Sequence, residues 1–129
     1  MEVYNFSDHN SIYNDFLSQL RDVNVQKDRM RFRRNLERLG EISAYEISKK
    51  LISHKKDITT PLGISSMNIL NEELVLATIL RAGLPLHQGL LNYFDKAENC
   101  FISAYRKHTS NEDFEVEIEY MSSPDLNGK

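Results

Sequence analysis

Apolar residues recur at helical spacing over two stretches in the first half of the chain. Residues 11–20 place four apolar side chains on one stripe, and Asn10 or Ser11 is suited to cap the helix. Residues 28–52 repeat this pattern over a greater length, with Gly40 inside it. Residues 59–63 contain proline and glycine and form a clear break. The pattern predicts N-terminal helices over residues 10–53.

The pattern changes to that of strands in the second half. Residues 74–79 form a nearly continuous apolar run, which is typical of a central parallel strand buried on both faces. Pro85 suits the first turn of a helix that continues to about Phe94, and residues 100–105 form a second buried strand. Together they predict a βαβ unit over residues 74–106.

The last predicted strand has a different character. Residues 114–120 alternate strictly, with apolar or aromatic side chains on one face and glutamates on the other. The pattern predicts an exposed strand within a β arm over residues 107–121. We interpret the row Glu115, Glu117 and Glu119 as a solubilising guard of a sheet edge rather than as a pair of catalytic carboxylates.

Composition limits the class of protein. A chain of 129 residues is the size of one domain, and we treat residues 1–129 as a single α/β domain. No segment approaches the roughly 20 apolar residues of a membrane span, and no signal peptide is evident. The single cysteine, Cys100, cannot form an internal disulfide, which indicates a reducing compartment, most simply the cytoplasm. The net charge of −3 argues against nucleic acid as the main partner.

A cluster of basic residues on the long predicted helix has two interpretations. Its members are Lys27, Arg29, Arg31, Arg33, Arg34 and Arg38. Such a cluster could contact RNA, but Glu37 and Glu41 offer partners on the same helix. We therefore favour a solvated or dimer-facing surface.

Candidate chemistry lies at the carboxyl ends of the two predicted parallel strands. Arg81 directly follows the first strand and Arg106 directly follows the second, so both guanidinium groups are expected at the same edge of the sheet. A guanidinium suits phosphate oxygens, and Gly83 would let the backbone approach a ligand and present its N–H groups. The alternative is that both arginines are solvated residues at strand ends. We predict no protein-held metal site, because His9, His54, His87 and His108 are scattered.

These residues resemble the uracil phosphoribosyltransferases, a type I phosphoribosyltransferase family. Residues 79–84, with the sequence ILRAGL, are similar to the family's diphosphate-binding turn, and residues 104–106 (AYR) to its second arginine. Residues 32–51 resemble its long N-terminal helix, residues 60–63 (TPLG) a loop between elements, and residues 114–120 its projecting arm. The resemblance covers residues 10–121 in the family's order.

The resemblance implies a fold, an activity and a site. The fold is α/β, with N-terminal helices, the first part of a parallel phosphoribosyltransferase sheet and a β arm. The reaction joins uracil and phosphoribosyl diphosphate to give UMP and diphosphate in pyrimidine salvage. Arg81, Ala82, Gly83 and Arg106 would bind the diphosphate, and Mg²⁺ would be carried by phosphoribosyl diphosphate rather than by this chain. A cis-like peptide is implied near Leu80, and a homodimer or larger homo-oligomer is implied in the cytoplasm.

Departures from the family pattern lead to further expectations. Residues 123–129 (SPDLNGK) do not form the family's ribose-phosphate loop, and the segment that would bind uracil is missing. Lys107 replaces the commoner Asp or Asn, and residues 85–87 differ from the family's usual continuation. We therefore expect an incomplete sheet and no transferase activity from the 129 residues alone.

Two other functions stay open on sequence grounds. One is a catalytically inactive module that kept the diphosphate turn and binds a nucleotide or RNA. The other is a structural subunit that assembles through the 28–52 helix and the 114–120 arm. The enzyme is the interpretation that we adopt.

Overall fold

The computed structural model describes residues 3–71, 73–108 and 114–127, with the backbone alone at 106–108, 114 and 115. A short 3₁₀ helix, Phe6–Asp8, precedes two α-helices. Helix α1 spans Ile12–Arg21 and helix α2 spans Arg29–Ser48. The Ser11 hydroxyl caps α1, and the Asp28 carboxylate caps α2 by accepting from two backbone N–H groups. Both predicted helices are confirmed. Helix α2 ends earlier than the predicted residue 52, because the chain tightens there into turns bonded three residues apart.

A buried polar contact joins the two helices. Asn35 is fully buried, and its side-chain amide donates to Oε1 of Gln19 on α1 at 2.9 Å. Its oxygen accepts from the Arg38 guanidinium at 3.1 Å, and that guanidinium lies 4.9 Å from the centre of the Phe16 ring. Arg38, one of the basic residues considered for RNA binding, is therefore used to pack α1 against α2.

The basic surface of α2 is further reduced by ion pairs. Arg34 lies 2.7 Å from Glu37, and Arg31 lies 3.7 Å from Asp28. Glu37 was an expected partner of this cluster. Glu41, the other expected partner, instead accepts a hydrogen bond of 2.9 Å from the amide of Asn92. These contacts favour the helix-surface interpretation over RNA binding.

A hairpin follows α2 and was not predicted. Strand β1 (Ser53–Thr60) pairs antiparallel with β2 (Gly63–Leu70), so residues 59–63 form the end of a hairpin rather than a simple break. The Thr60 hydroxyl donates to the Gly63 carbonyl at 2.7 Å, and Gly63 has φ of +133°, which only glycine adopts readily. Most of the hairpin is exposed, so its sequence lacks the apolar alternation that identifies a half-buried strand.

The second sheet contains the predicted βαβ unit. Strand β3 (Val75–Leu80) runs parallel to β4 (Glu98–His108), and helix α3 (Leu84–Leu91) connects them. Strand β5 (Phe114–Ser122) pairs antiparallel with β4, so the strand order is β3-β4-β5. The predicted crossover and the strand of the arm are confirmed, whereas α3 ends at Leu91, before the predicted Phe94.

Two predictions about these strands are wrong. Strand β3 is not buried on both faces, because it lies at an edge of the described sheet and Ile79 is 59% exposed. Strand β4 does not end before Arg106, since its pairing with β5 carries it to His108. Arg106 therefore lies inside β4, opposite Val116.

A small core lies between α2, α3 and the sheet. Its buried apolar residues are Leu39, Ala44, Phe94, Ala97 and Cys100. Gly40 permits close packing of the two helices, because a Cβ atom there would meet the Leu86 carbonyl oxygen and lie 3.0 Å from Cα of Gly89. Cys100 is buried as predicted. Within the part of the chain described here, no helix has the length and apolar content to cross a membrane.

Candidate functional site

The turn between β3 and α3 contains the first group of predicted site residues. A cis peptide bond joins Leu80 to Arg81, in the turn for which the family resemblance implied such a bond. The Gly83 N–H donates to the Ile79 carbonyl at 3.1 Å, and the Leu84 N–H donates to the Arg81 carbonyl at 3.3 Å. These two bonds fold the chain back over the end of β3 before α3 begins.

Gly83 is required in this turn because there is no room for a Cβ atom, and not because of its φ angle. Its φ is −72°, a value open to any residue. A Cβ atom at Gly83 would meet the Thr78 hydroxyl and lie 2.8 Å from the Ile79 carbonyl oxygen. The expected role of Gly83 is therefore modified: its own N–H is used within the turn, and its small size lets the turn close.

The backbone N–H of Ala82 is available to donate a hydrogen bond to a ligand. Ala82 is exposed, and in the described structure its backbone N–H has no hydrogen-bond partner. Arg81, directly before it, is also exposed. The turn thus presents one permanent cation and one unused backbone donor side by side, a combination suited to the oxygens of a phosphate group.

Arg81 lines a cavity of about 370 Å³ at the carboxyl end of β3. The other lining residues are Leu80, Ser103, Ala104, Tyr105 and Glu119. The walls therefore come from the end of β3, the middle of β4 and the facing part of β5. Ligands of open parallel α/β sheets bind in crevices at this end of the strands.

The backbone places Arg106 beyond the same end of β3. Leu80 pairs with Ser103, so Arg106 lies three residues further along β4 than the last paired position. Its strand position is described, whereas its side chain is outside the described part. The pairing brings Arg81 and Arg106 to the same end of the sheet, as predicted, although Arg106 is a mid-strand residue.

Glu119 is a residue of this cavity that sequence reasoning missed. Ser103 pairs with Tyr120 and Ala104 pairs with Ile118, so Glu119 is the extra residue of a β-bulge. The bulge breaks the predicted strict alternation, because Tyr120 now shares a face with Ser103 instead of with Ile118. A strand sequence alone carries no signal for this change of register.

Glu117 behaves differently from Glu119. It lies opposite Tyr105 and accepts a hydrogen bond of 2.9 Å from the Tyr105 hydroxyl. This hydrogen bond raises the pKa of Tyr105, and partial desolvation and the nearby Glu119 charge act in the same direction. Among the glutamates that were interpreted as an edge guard, Glu117 thus has a tyrosine partner and Glu119 faces a cavity. The side chain of Glu115 lies outside the described residues.

A second cavity, of about 660 Å³, lies between α2, α3 and β4. His87, which is buried, lines it with one ring nitrogen 2.8 Å from Oδ1 of Asn99 and its ring 5.2 Å from that of Phe101. These contacts give His87 a packing role between α3 and β4. Across the described residues, there is no group of three or more His, Cys, Asp or Glu side chains that could hold a metal ion.

Comparison with known proteins identifies one family over most of the chain. A family model described as uracil phosphoribosyltransferase matches residues 7–124. The uracil phosphoribosyltransferase of Porphyromonas gingivalis is 52% identical over 129 residues, which are all of this chain and 60% of that protein. The uracil phosphoribosyltransferase of Methanococcus maripaludis is 37% identical over 131 residues, covering 98% of this chain and 54% of that protein.

A solved structure supports the fold. The AQ2163 protein from Aquifex aeolicus superposes with a TM-score of 0.78 at 30% identity, over 94% of this chain and 56% of that one. The chain thus spans between about half and 60% of the length of these relatives. The predicted phosphoribosyltransferase-type α/β fold is confirmed. On the family match and these identities, the chain belongs to the uracil phosphoribosyltransferase family.

Proposed function

We propose that the protein transfers ribose 5-phosphate from phosphoribosyl diphosphate to uracil, giving UMP and diphosphate in pyrimidine salvage. Family membership supports the reaction, and the observation that carries the proposal is the position of Arg81 at the β3–α3 turn. The chain spans 60% of the length of its Porphyromonas relative. The proposed activity therefore refers to the protein at its full length.

The described residues suit the diphosphate half of this reaction. Arg81 would bind diphosphate oxygens through its planar guanidinium, and the Ala82 N–H would donate to the same group. Gly83 would hold the turn closed against Thr78, and Arg106 would approach from the neighbouring strand. As the bond from C1 to the diphosphate oxygen breaks, negative charge grows on the departing group, and the two arginines would stabilise it.

Mg²⁺ suits this site as an ion that binds together with the substrate. The described part of the chain has no cluster of side chains for a resident metal, but Glu119 gives the cavity one carboxylate. Bound to the diphosphate, Mg²⁺ would neutralise part of its charge and make it a better leaving group. The residues of this chain would bind and orient the complex.

The RNA-binding form of the inactive-module alternative receives no support from the basic surface of α2. Arg34 and Arg38 of the basic surface have partners within the N-terminal helices, whereas Arg81 is exposed at the sheet edge. Uracil and phosphoribosyl diphosphate are the partners that we propose, together with a homodimer or larger homo-oligomer in the cytoplasm. Burial of the single Cys100 is compatible with a reducing compartment.

Titration calorimetry with inorganic diphosphate and Mg²⁺ tests the site. We expect Arg81→Ala and Arg106→Ala each to weaken binding by about tenfold or more, since each removes a charge-assisted bond. Arg33→Ala is the matched control, because it removes the same charge from α2. Equal affinity in the wild type and Arg81→Ala, or an equal loss in Arg33→Ala, would contradict the site. UMP formation from uracil, measured on the protein at its full length, tests the transfer.

A further inference from the structure

The cavity beside the β3–α3 turn contains charges of both signs. Arg81 lines it from the turn that follows β3, and Glu119 lines it from β5. Between these two described residues there is no ion pair. The two charged groups are therefore not in direct contact, and the cavity that both line is open to a ligand.

The β-bulge is what places the carboxylate there. Regular pairing would align Glu119 with Ser103 and continue the row of Glu117, but the bulge leaves Glu119 outside the pairing. Bulges commonly redirect a single side chain beside a functional site. Glu117, two residues earlier on the same strand, bonds to Tyr105 and does not line the cavity.

A carboxylate beside a diphosphate opposes binding unless a cation lies between them. Two anionic groups at this distance repel each other, and the repulsion opposes binding. Mg²⁺ is commonly held by one or two carboxylates together with substrate phosphates. With no cluster for a resident metal in the described chain, such a cation would arrive with the diphosphate.

We propose that Glu119 makes the site selective for the magnesium complex of the diphosphate, by facing the cation that the diphosphate carries and by repelling diphosphate without a cation. This inference rests on the proposed function and adds a specificity-determining residue to it. Arg81 would then bind the anion and Glu119 its counterion, within the one cavity that both residues line.

The test is the ratio of two affinities for inorganic diphosphate, measured by calorimetry with excess Mg²⁺ and with a chelator. The wild type is expected to prefer the magnesium form. Glu119→Gln is expected to reduce that preference by about tenfold, a loss typical of outer-shell metal partners. Glu119→Asp keeps the charge and is expected to retain part of the preference. Glu117→Gln is the control and should leave the ratio unchanged.

The outcomes separate this inference from the function on which it rests. If Arg81→Ala weakens binding but Glu119→Gln keeps the wild-type ratio, the role of Glu119 is wrong and the diphosphate site stands. An equal fall in the ratio for Glu117→Gln would also overturn the inference, because the effect would then come from the charge of the arm. If the wild type binds diphosphate in neither condition, both proposals fail.

Discussion

Gly40 of α2 lies directly against Gly89 of α3, so that a Cβ on Gly40 would be 3.0 Å from Cα of Gly89. The contact matters beyond packing, because α3 begins at the turn that contains Arg81. The two glycines thus fix the position of the helix that follows the proposed diphosphate site.

Gly40→Ala is expected to destabilise the protein, although alanine is normally the better helix former. The added methyl group would meet the Leu86 carbonyl oxygen and push α3 away, at a cost of about 1–3 kcal/mol for overpacking. Urea denaturation measures the change, with Ser43→Ala on the same helix as the control. An increase in stability for Gly40→Ala would show that the helices can separate freely.

Gly83→Ala is expected to weaken diphosphate binding and to lower stability. A methyl group there conflicts with the Thr78 hydroxyl and the Ile79 carbonyl oxygen, so the turn must open and shift Arg81. Calorimetry and thermal unfolding report the two effects. Ala82→Ser is the control, because Ala82 is exposed and keeps its N–H. Unchanged binding in Gly83→Ala would mean that the turn is not part of the site.

The ion pair between Arg34 and Glu37 gives a pH-dependent prediction. The Arg34 guanidinium holds the pKa of Glu37 below its ordinary value of 4.5. The pair therefore stabilises the fold above that value, and this contribution is lost as the pH falls through the lowered pKa. Urea denaturation of the wild type and Arg34→Gln should show a stability gap at about pH 7 that narrows as the pH falls below the ordinary value of 4.5. A gap of constant size, or one that Arg33→Gln reproduces, would contradict this assignment.

The pKa of Tyr105 gives a second pH-dependent prediction, in which stability is lost as the pH rises rather than as it falls. Its hydrogen bond to Glu117 raises its pKa, so this contribution to stability is present below the ordinary value of 10.0 and is lost as the pH rises through the raised pKa. Glu117→Gln should lower the pKa of Tyr105, as measured by NMR of ring-labelled tyrosine. Glu119→Gln should lower it less, because Glu119 acts through charge alone. Tyr105→Phe identifies the resonance, and an unchanged pKa in Glu117→Gln would contradict the hydrogen bond.

The sequence predicted the elements in which a buried face gives the apolar residues a regular spacing. Helices α1 and α2 have apolar stripes and side-chain caps, and the βαβ unit has apolar runs around Pro85. The β1–β2 hairpin could not be predicted in this way, because exposed strands need no apolar alternation. The burial of β3 was overestimated, since an apolar run shows what a strand could bury and not which neighbours cover it.

The candidate site was predicted in part for a similar reason. Arg81 was identified because it follows a strand, which is a property of sequence order. Glu119 was missed because its position depends on pairing between β4 and β5, which sequence order does not contain. The hydrogen bond from the Gly83 N–H to the Ile79 carbonyl likewise depends on how the turn folds.

The bulge at Glu119 also means that β5 can lose one residue without a change in its pairing. Beyond the bulge the strand is shifted by one residue, so Tyr120 lies on the face that Glu117 occupies before it. Removing Glu119 would leave Ile118 opposite Ala104 and Tyr120 opposite Ser103, so the pairing would become regular and both faces would be kept. The extra residue is therefore dispensable for the pairing of the arm, and what it supplies is the carboxylate that lines the cavity.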